Sequence, residues 1–261
     1  MSIVQAVILG LVQGLTEFLP VSSSGHLVIF QHLLGLKEPP LFFDVMVHVG
    51  TLLAVIAVFW EDVLEVIKRP FSRLTLLIVI GCIPAGLMGF FLEAYFEKAF
   101  SSLLVVGVGL IITGVLLLAS EYSARQQIFG KNWSTASLKD AFLVGIMQGI
   151  AITPGISRSG STIAGSLFVG LDREYAARFS FLLSIPVIIG AALMQAKDLV
   201  GMSIPSSEVA AVASGTLVAA VSGYVAIKLV VGMLKRGRLS LFAWYCWVVA
   251  IAVLAWHFIE G

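Results

Sequence analysis

The chain has 261 residues, of which 59% are hydrophobic and only 12% charged, against about 25% charged in soluble domains, so an ordinary water-soluble fold is excluded. The formal charge of +1 says nothing about partners, and the lack of a basic run beyond Lys-Arg-Gly-Arg at 235–238 argues against nucleic acid. Cys82 and Cys246 both sit in apolar stretches and read as small hydrophobes, not as a disulfide or a metal pair.

The first elements are two short apolar stretches, about 2–18 and 23–35, on either side of Leu-Pro-Val-Ser-Ser-Ser-Gly. The opening stretch lacks a basic start and a small-residue cleavage site, so it reads as part of the fold and not as a signal peptide. Three stretches long enough to cross a bilayer follow, at about 44–60, 74–92 and 102–120. A second short pair, about 138–152 and 161–170, flanks Thr-Pro-Gly-Ile-Ser-Arg-Ser-Gly. Three more spans close the chain, at about 178–196, 209–232 and 241–259. Short hydrophobic segments broken by Gly and Pro suggest re-entrant helix–loop–helix hairpins. The expected fold is an all-α polytopic membrane protein with six transmembrane helices and two such hairpins. Trp244, Tyr245, Trp247 and Trp256 suit an interfacial or lipid-facing belt, and His32 and His257 read as interfacial.

Basic residues concentrate in 61–73, 121–140, 171–178 and 228–240, which together hold 12, while the opposite loops keep Lys37, Lys98 and Lys197. The positive-inside rule makes the rich side cytoplasmic. The N-terminus, the first hairpin and the C-terminus then fall outside, and the second hairpin enters from inside. A shift of 135 residues aligns Leu9–Leu15 with Val144–Ile150, so that Gly10, Gln13 and Gly14 fall on Gly145, Gln148 and Gly149. The same shift places Ser22, Ser24 and Gly25 on Ser157, Ser159 and Gly160. Three spans separate the two copies, and an odd number inverts the second. The reading is one membrane domain over 1–261, built of two inverted-topology repeats at about 1–125 and 135–261.

In such repeats the broken helices meet near the midplane with half-helix N-termini directed at an anion. Both polar breaks look like helix openings, where Ser caps and free backbone N–H groups bind phosphate. Arg158 is the most informative side chain, since arginine at membrane depth is costly and its planar fork suits phosphate. The alternative, an arginine tied to buried carbonyls, fits less well beside Ser157, Ser159, Ser161 and Thr162. Gln13 and Glu17 lie one helical turn apart and share a face, a carboxylate and an amide oxygen suited to Mg²⁺ or Ca²⁺. The bland reading of Glu17 is a helix-junction carboxylate, because one carboxylate is a thin metal site. Ser22, Ser23 and Ser24 are candidate nucleophiles or phosphate donors, and His26 falls three residues past Ser23 as a candidate acid or base. Asp44 and His48 open a span and read as residues that support the site from outside it. The glycine-rich stretch 107–114 could bring helices close, so a homodimer is a further expectation.

Gln-Gly-Leu-Thr-Glu-Phe-Leu-Pro-Val-Ser-Ser-Ser-Gly-His at 13–26 and Pro-Gly-Ile-Ser-Arg-Ser-Gly at 154–160 resemble the two signature motifs of bacterial undecaprenyl pyrophosphate phosphatases of the bacitracin-resistance type. The stretch 178–186, the length and the span order agree, so the resemblance covers nearly the whole chain. It implies a phosphatase of the bacterial cytoplasmic membrane that removes the terminal phosphate of the C55 isoprenyl pyrophosphate carrier for peptidoglycan synthesis. It also implies dependence on a divalent cation and a site open to the outer face. On this chain the family's paired positions are Gln13 and Glu17, its serine-rich loop Ser22, Ser23 and Ser24, its histidine His26, and its second motif Ser157 and Arg158. Many members carry Glu where Gln13 stands, so one negative charge is missing here. The phosphatidic-acid type of lipid phosphatase is rejected: Lys-Arg-Pro at 68–70 has the wrong spacing, and no His follows Arg158 before His257.

The expected binding mode places the diphosphate between the two breaks, held by Arg158, Gln13, Ser22, Ser24, Gly25, Ser157, Ser159 and Thr162. Glu17, with Gln13, would carry the cation. Ser23 would attack phosphorus with His26 moving the proton, or His26 would activate water with Ser23 as a donor; the sequence leaves both open. A rival class, a lipid-phosphate flippase or an anion transporter, shares the architecture but has no need of the Ser, His and Glu cluster.

Overall fold

The computed structural model describes residues 1–36, 41–100, 102–127, 130–199 and 206–260, and among these every regular element is a helix. The first series runs α1 (Ile3–Phe18), α2 (Ser23–Leu33), α3 (Leu41–Val58), α4 (Trp60–Lys68), α5 (Arg73–Phe91), α6 (Glu93–Phe100) and α7 (Leu103–Arg125). The second runs α8 (Leu138–Ile150), α9 (Arg158–Phe168), α10 (Arg173–Leu199), α11 (Ser206–Lys235) and α12 (Ser240–Glu260). Helices α3, α5, α7, α10, α11 and α12 are long and apolar enough to cross a membrane, and the chain is a multi-pass membrane-type protein. The four short stretches become α1, α2, α8 and α9.

Two helices depart from the sequence reading. The stretch 61–73, taken as a charged loop, holds α4, whose Val63 and Val66 pack on the core while Glu61 and Glu65 are exposed. Helix α6 likewise lies in a stretch with no apolar run. Both are short amphipathic helices, which a search for continuous apolar length passes over.

Serine starts the helices. Ser2, Ser22, Ser72, Ser102, Ser137 and Ser157 each accept the backbone N–H three residues on. At membrane depth no water is at hand for those orphan donors, so the caps replace it. Between helices, small residues permit close crossings. A Cβ at Gly10 of α1 would strike the backbone of Gly215 on α11, and a Cβ at Gly145 of α8 would strike the backbone of Gly81 on α5. In lipid this close packing, more than desolvation, holds helices together. The glycines of 107–114 are used in the same way inside the chain: Gly107 meets Leu254, Gly109 meets Pro154 and Gly155, and Gly114 meets Trp247.

One end of the bundle is laced with ion pairs: Arg178 with Asp62 at 2.5 Å, Lys131 with Asp140 at 2.9 Å, Arg125 with Glu121 at 2.5 Å and Lys235 with Glu174 at 2.8 Å. This is the end at which the sequence concentrates its basic residues. The core is aromatic where α1 ends. Phe18 meets Phe181 of α10 edge-on at 5.6 Å, and Phe59 meets the same ring at 6.0 Å. Phe18 is fully buried, and this anchors the last turn of α1 and with it Glu17.

Candidate active site

Four polar side chains converge where the two polar breaks meet. The guanidinium of Arg158, the first residue of α9, donates to Glu17 Oε1 at 2.5 Å. Glu17 Oε2 accepts from Ser23 Oγ at 2.7 Å and from Gln13 Nε2 at 3.0 Å. Glu17 and Arg158 are largely buried, with side-chain exposures of 7% and 15%. The second guanidinium nitrogen reaches the Ser180 carbonyl at 3.4 Å. Chain reversal at Leu19–Val21 brings Ser23 back beside Glu17, six residues earlier. The breaks touch each other as well: Ser159 Oγ donates to the Leu19 carbonyl at 3.1 Å.

The turn before α2 is strained. Ser22 has φ +70°, the one non-glycine residue with positive φ among the described residues. Such a conformation costs about 1–3 kcal/mol and persists only where neighbours over-determine it. They do so here. Ser22 Oγ caps Gly25 N–H at 3.3 Å and contacts Ser24 Oγ at 3.3 Å. The Ser22 carbonyl accepts from both the backbone N–H of His26, at 3.2 Å, and its Nδ1–H, at 2.8 Å. A carbonyl only accepts, so Nδ1 carries the proton. His26 Nε2, on the other side of the ring, lies 2.8 Å from the Tyr245 hydroxyl of α12, and the two rings stack. Both ring nitrogens are thus engaged away from Ser23. In this arrangement His26 fixes the turn that presents Ser23 to Glu17, and it does not itself touch Ser23.

The site opens on a cavity of about 490 Å³. Glu17, Ser22, Ser23, Ser24 and Arg158 line it, and so do Asp44 and His48 of α3. The remaining wall is mainly apolar, from α5, α10 and the segment after α8, including Ala85, Phe90, Ile152 and Val187, with Gln148 and Gln195 set in it. Of the expected site residues, Gln13, Gly25, His26, Ser157, Ser159 and Thr162 do not line it. Each has a local task. Gly25 packs on Val106, Ser157 caps Gly160 N–H at 3.0 Å, and Thr162 Oγ1 donates to the Arg158 carbonyl at 2.8 Å. These groups hold the two openings in shape. His48, set aside by sequence as a supporting residue, stands on the cavity wall itself. Its Nδ1–H donates to the Asp44 carbonyl at 2.8 Å, which leaves Nε2 as the available nitrogen. The motif spacing gave no signal for it, because nothing in the local pattern places α3 against α1.

Gln13 and Glu17 alone make a thin cation site. Glu17 is already neutralised by Arg158, and among the described residues no group of three or more His, Cys, Asp or Glu could hold a metal. Gln13 Oε1 and Asp44 Oδ1 are among the oxygen atoms buried without a partner. Oxygen donors of this kind suit Mg²⁺ or Ca²⁺ once substrate phosphates complete the shell.

The family model described as bacitracin resistance protein BacA matches residues 6–252. The chain belongs to the bacitracin resistance protein BacA family. Curated relatives agree over full length. An undecaprenyl-diphosphatase of Halothermothrix orenii is 46% identical over 256 residues, 97% of this chain and 98% of the relative. One of Carboxydothermus hydrogenoformans is 46% identical over 252 residues, 96% of this chain and 95% of the relative. One of Methanosphaera stadtmanae is 43% identical over 276 residues, 97% of this chain and 98% of the relative. The BacA match spans both polar breaks and five of the six long helices completely.

Proposed function

We propose that this membrane protein hydrolyses undecaprenyl diphosphate to undecaprenyl phosphate and inorganic phosphate at the Glu17–Ser23–Arg158 cluster. Membership of the BacA family and the shared name of its relatives support the activity. The observation that carries the site is the Ser23 hydroxyl donating to a buried carboxylate that is itself paired with Arg158, on the polar side of a largely apolar cavity. A phosphate carrier has no need of a hydroxyl poised on a base, so the transporter reading leaves this bond unexplained.

The chemistry follows from the contacts. An arriving diphosphate draws the Arg158 fork from Glu17 to its terminal phosphate, where the N–H groups at the openings of α2 and α9 add to the charge stabilisation. Glu17, relieved of part of its counter-charge, takes the Ser23 proton. Ser23 Oγ attacks the terminal phosphorus, the bond to the bridging oxygen breaks, and its electron pair leaves with undecaprenyl phosphate. Water then attacks the phosphoserine and passes its proton to a phosphoryl oxygen, so that dihydrogen phosphate leaves, while Glu17 returns its proton to the departing Ser23 oxygen. A divalent cation, Mg²⁺ or Ca²⁺, would be held by Glu17, Gln13 Oε1 and Asp44 and would supply charge neutralisation for the phosphate oxygens.

The finer architecture is part of the same proposal. Two inverted repeats account for the pairings, since α1 lies on α11 as α8 lies on α5, through Gly10–Gly215 and Gly145–Gly81. The caps also correspond, Ser22 on Gly25 and Ser157 on Gly160. The short pairs α1–α2 and α8–α9 then act as re-entrant hairpins. With the basic loops on the cytoplasmic side of a bacterial inner membrane, the cavity is walled by the outer halves of α3, α5 and α10. The site would open to the outer face, and the prenyl chain would enter sideways from lipid.

Trapping decides the nucleophile. Acid quenching after mixing with terminally ³²P-labelled substrate should label Ser23 in the wild type and leave Ser23→Ala unlabelled. Turnover by Ser23→Ala above about a tenth of wild type would remove Ser23 as an obligatory nucleophile.

A further inference from the structure

Gln148 stands in the last turn of α8, is 1% exposed, and has neither amide atom hydrogen-bonded. Its repeat counterpart Gln13 at least gives its Nε2 to Glu17. A buried primary amide with no partner at either end is costly, and natural structures keep one only where something else satisfies it. Gln148 lines the same cavity as Glu17, Ser23 and Arg158. Its polar neighbour on α5, Cys82, turns its thiol to the Leu183 carbonyl at 3.9 Å and offers the amide no more than a weak sulfur contact.

We infer that Gln148 binds the phosphate that stays on the lipid. The inference rests on Arg158 holding the terminal phosphate. Gln148 lies where α8 crosses α5, a contact so close that Gly145 admits no side chain. The wall beside it is the apolar one, with Ala85, Gly86 and Gly89 of α5 and Ile152 after α8. A prenyl diphosphate with its terminal phosphate at Arg158 and its chain along α5 carries the ester phosphate past the boundary between polar and apolar walls. Gln148 lines the cavity beside that α5 wall, while the other amide of the lining, Gln195, belongs to α10. Gln148 Nε2 donates to a phosphate oxygen, and its Oε1 accepts from water or from a protonated phosphate. A neutral amide suits this position, because the group it grips is the leaving group and then the product: it recognises phosphate without a full opposite charge that would retain the product.

The test uses the purified full chain with farnesyl phosphate and farnesyl methylenediphosphonate as non-hydrolysed probes. Gln148→Leu removes the orphan amide, so the ligand-free protein should unfold at a higher temperature than wild type. The same variant should bind farnesyl phosphate about tenfold more weakly, the loss of one hydrogen bond to a charged oxygen. Gln148→Glu, of equal size, should bind both probes more weakly still, by charge repulsion. Arg158→Lys should weaken the diphosphonate and spare the monophosphate. A Gln148→Leu protein with a lower unfolding temperature and unchanged probe affinity would make the amide structural and overturn the inference. Unchanged stability with unchanged affinity would assign the amide to ordered water and overturn it equally. If Arg158→Lys leaves the diphosphonate affinity intact, the fault lies with the placement of the terminal phosphate, not with Gln148.

Discussion

Removing one charge of the Glu17–Arg158 pair should damage the fold more than removing both. The closest atoms are 2.5 Å apart, and both side chains are nearly enclosed. Breaking such a pair from one side strands a buried charge and costs about 3–5 kcal/mol, whereas exchanging both partners for neutral groups costs far less. Glu17→Gln keeps an acceptor for Ser23, and Arg158 keeps the Ser180 carbonyl, so the lower end, about 3 kcal/mol, applies. Arg158→Met leaves Glu17 with Ser23 and Gln13 and should cost about the same. The double variant should then lose well under about 3 kcal/mol instead of the additive sum of about 6, a coupling at or above the upper end for contacting residues. Unfolding free energies of the four proteins in mixed micelles measure this cycle. Additivity within about 0.5 kcal/mol would refute a tight ion pair. None of the three variants should turn over substrate, so the recovered fold of the double variant without recovered activity separates the chemical task of the pair from its structural one.

Gly10→Ala and Gly145→Ala should each destabilise by about 1–3 kcal/mol through overpacking against a backbone that cannot yield, and thermal unfolding checks both. A neutral Gly145→Ala would deny the crossing of α8 and α5. Tyr245→Phe removes the hydroxyl from His26 Nε2 and should lower kcat several-fold with an unaltered pH profile, since His26 acts through the Ser22 turn. A displaced limb in that profile would instead make His26 a proton carrier.

Spans, the four short helices beside the polar breaks and the serine caps at Ser22 and Ser157 were legible because each has a local cause: apolar length, a Gly- and Pro-bearing break, a hydroxyl three residues before an orphan N–H. Arg158 and Glu17 stood out because a charge at membrane depth demands a reason. Their mutual contact did not, because 141 residues separate them and only the meeting of the two breaks joins them. His26 shows the limit most clearly. The Ser-x-x-His spacing set it on the face of Ser23, yet the ring curls back to the carbonyl one turn earlier and is held by a tyrosine 219 residues away. Helices α4 and α6 stayed hidden because their apolar residues form a narrow stripe and not a run. Gln148 and His48 were invisible as cavity residues, because their place depends on how α8 meets α5 and how α3 meets α1.

The most direct test of the site is phosphate release from undecaprenyl diphosphate by the detergent-purified protein, with Mg²⁺, with Ca²⁺ and with chelator, beside Arg158→Ala. Release that requires a cation and falls to background in folded Arg158→Ala is the expected result. Wild-type rates in Arg158→Ala, or no release by the folded wild-type protein in any condition, would contradict the placement of the phosphatase site between the two broken helices.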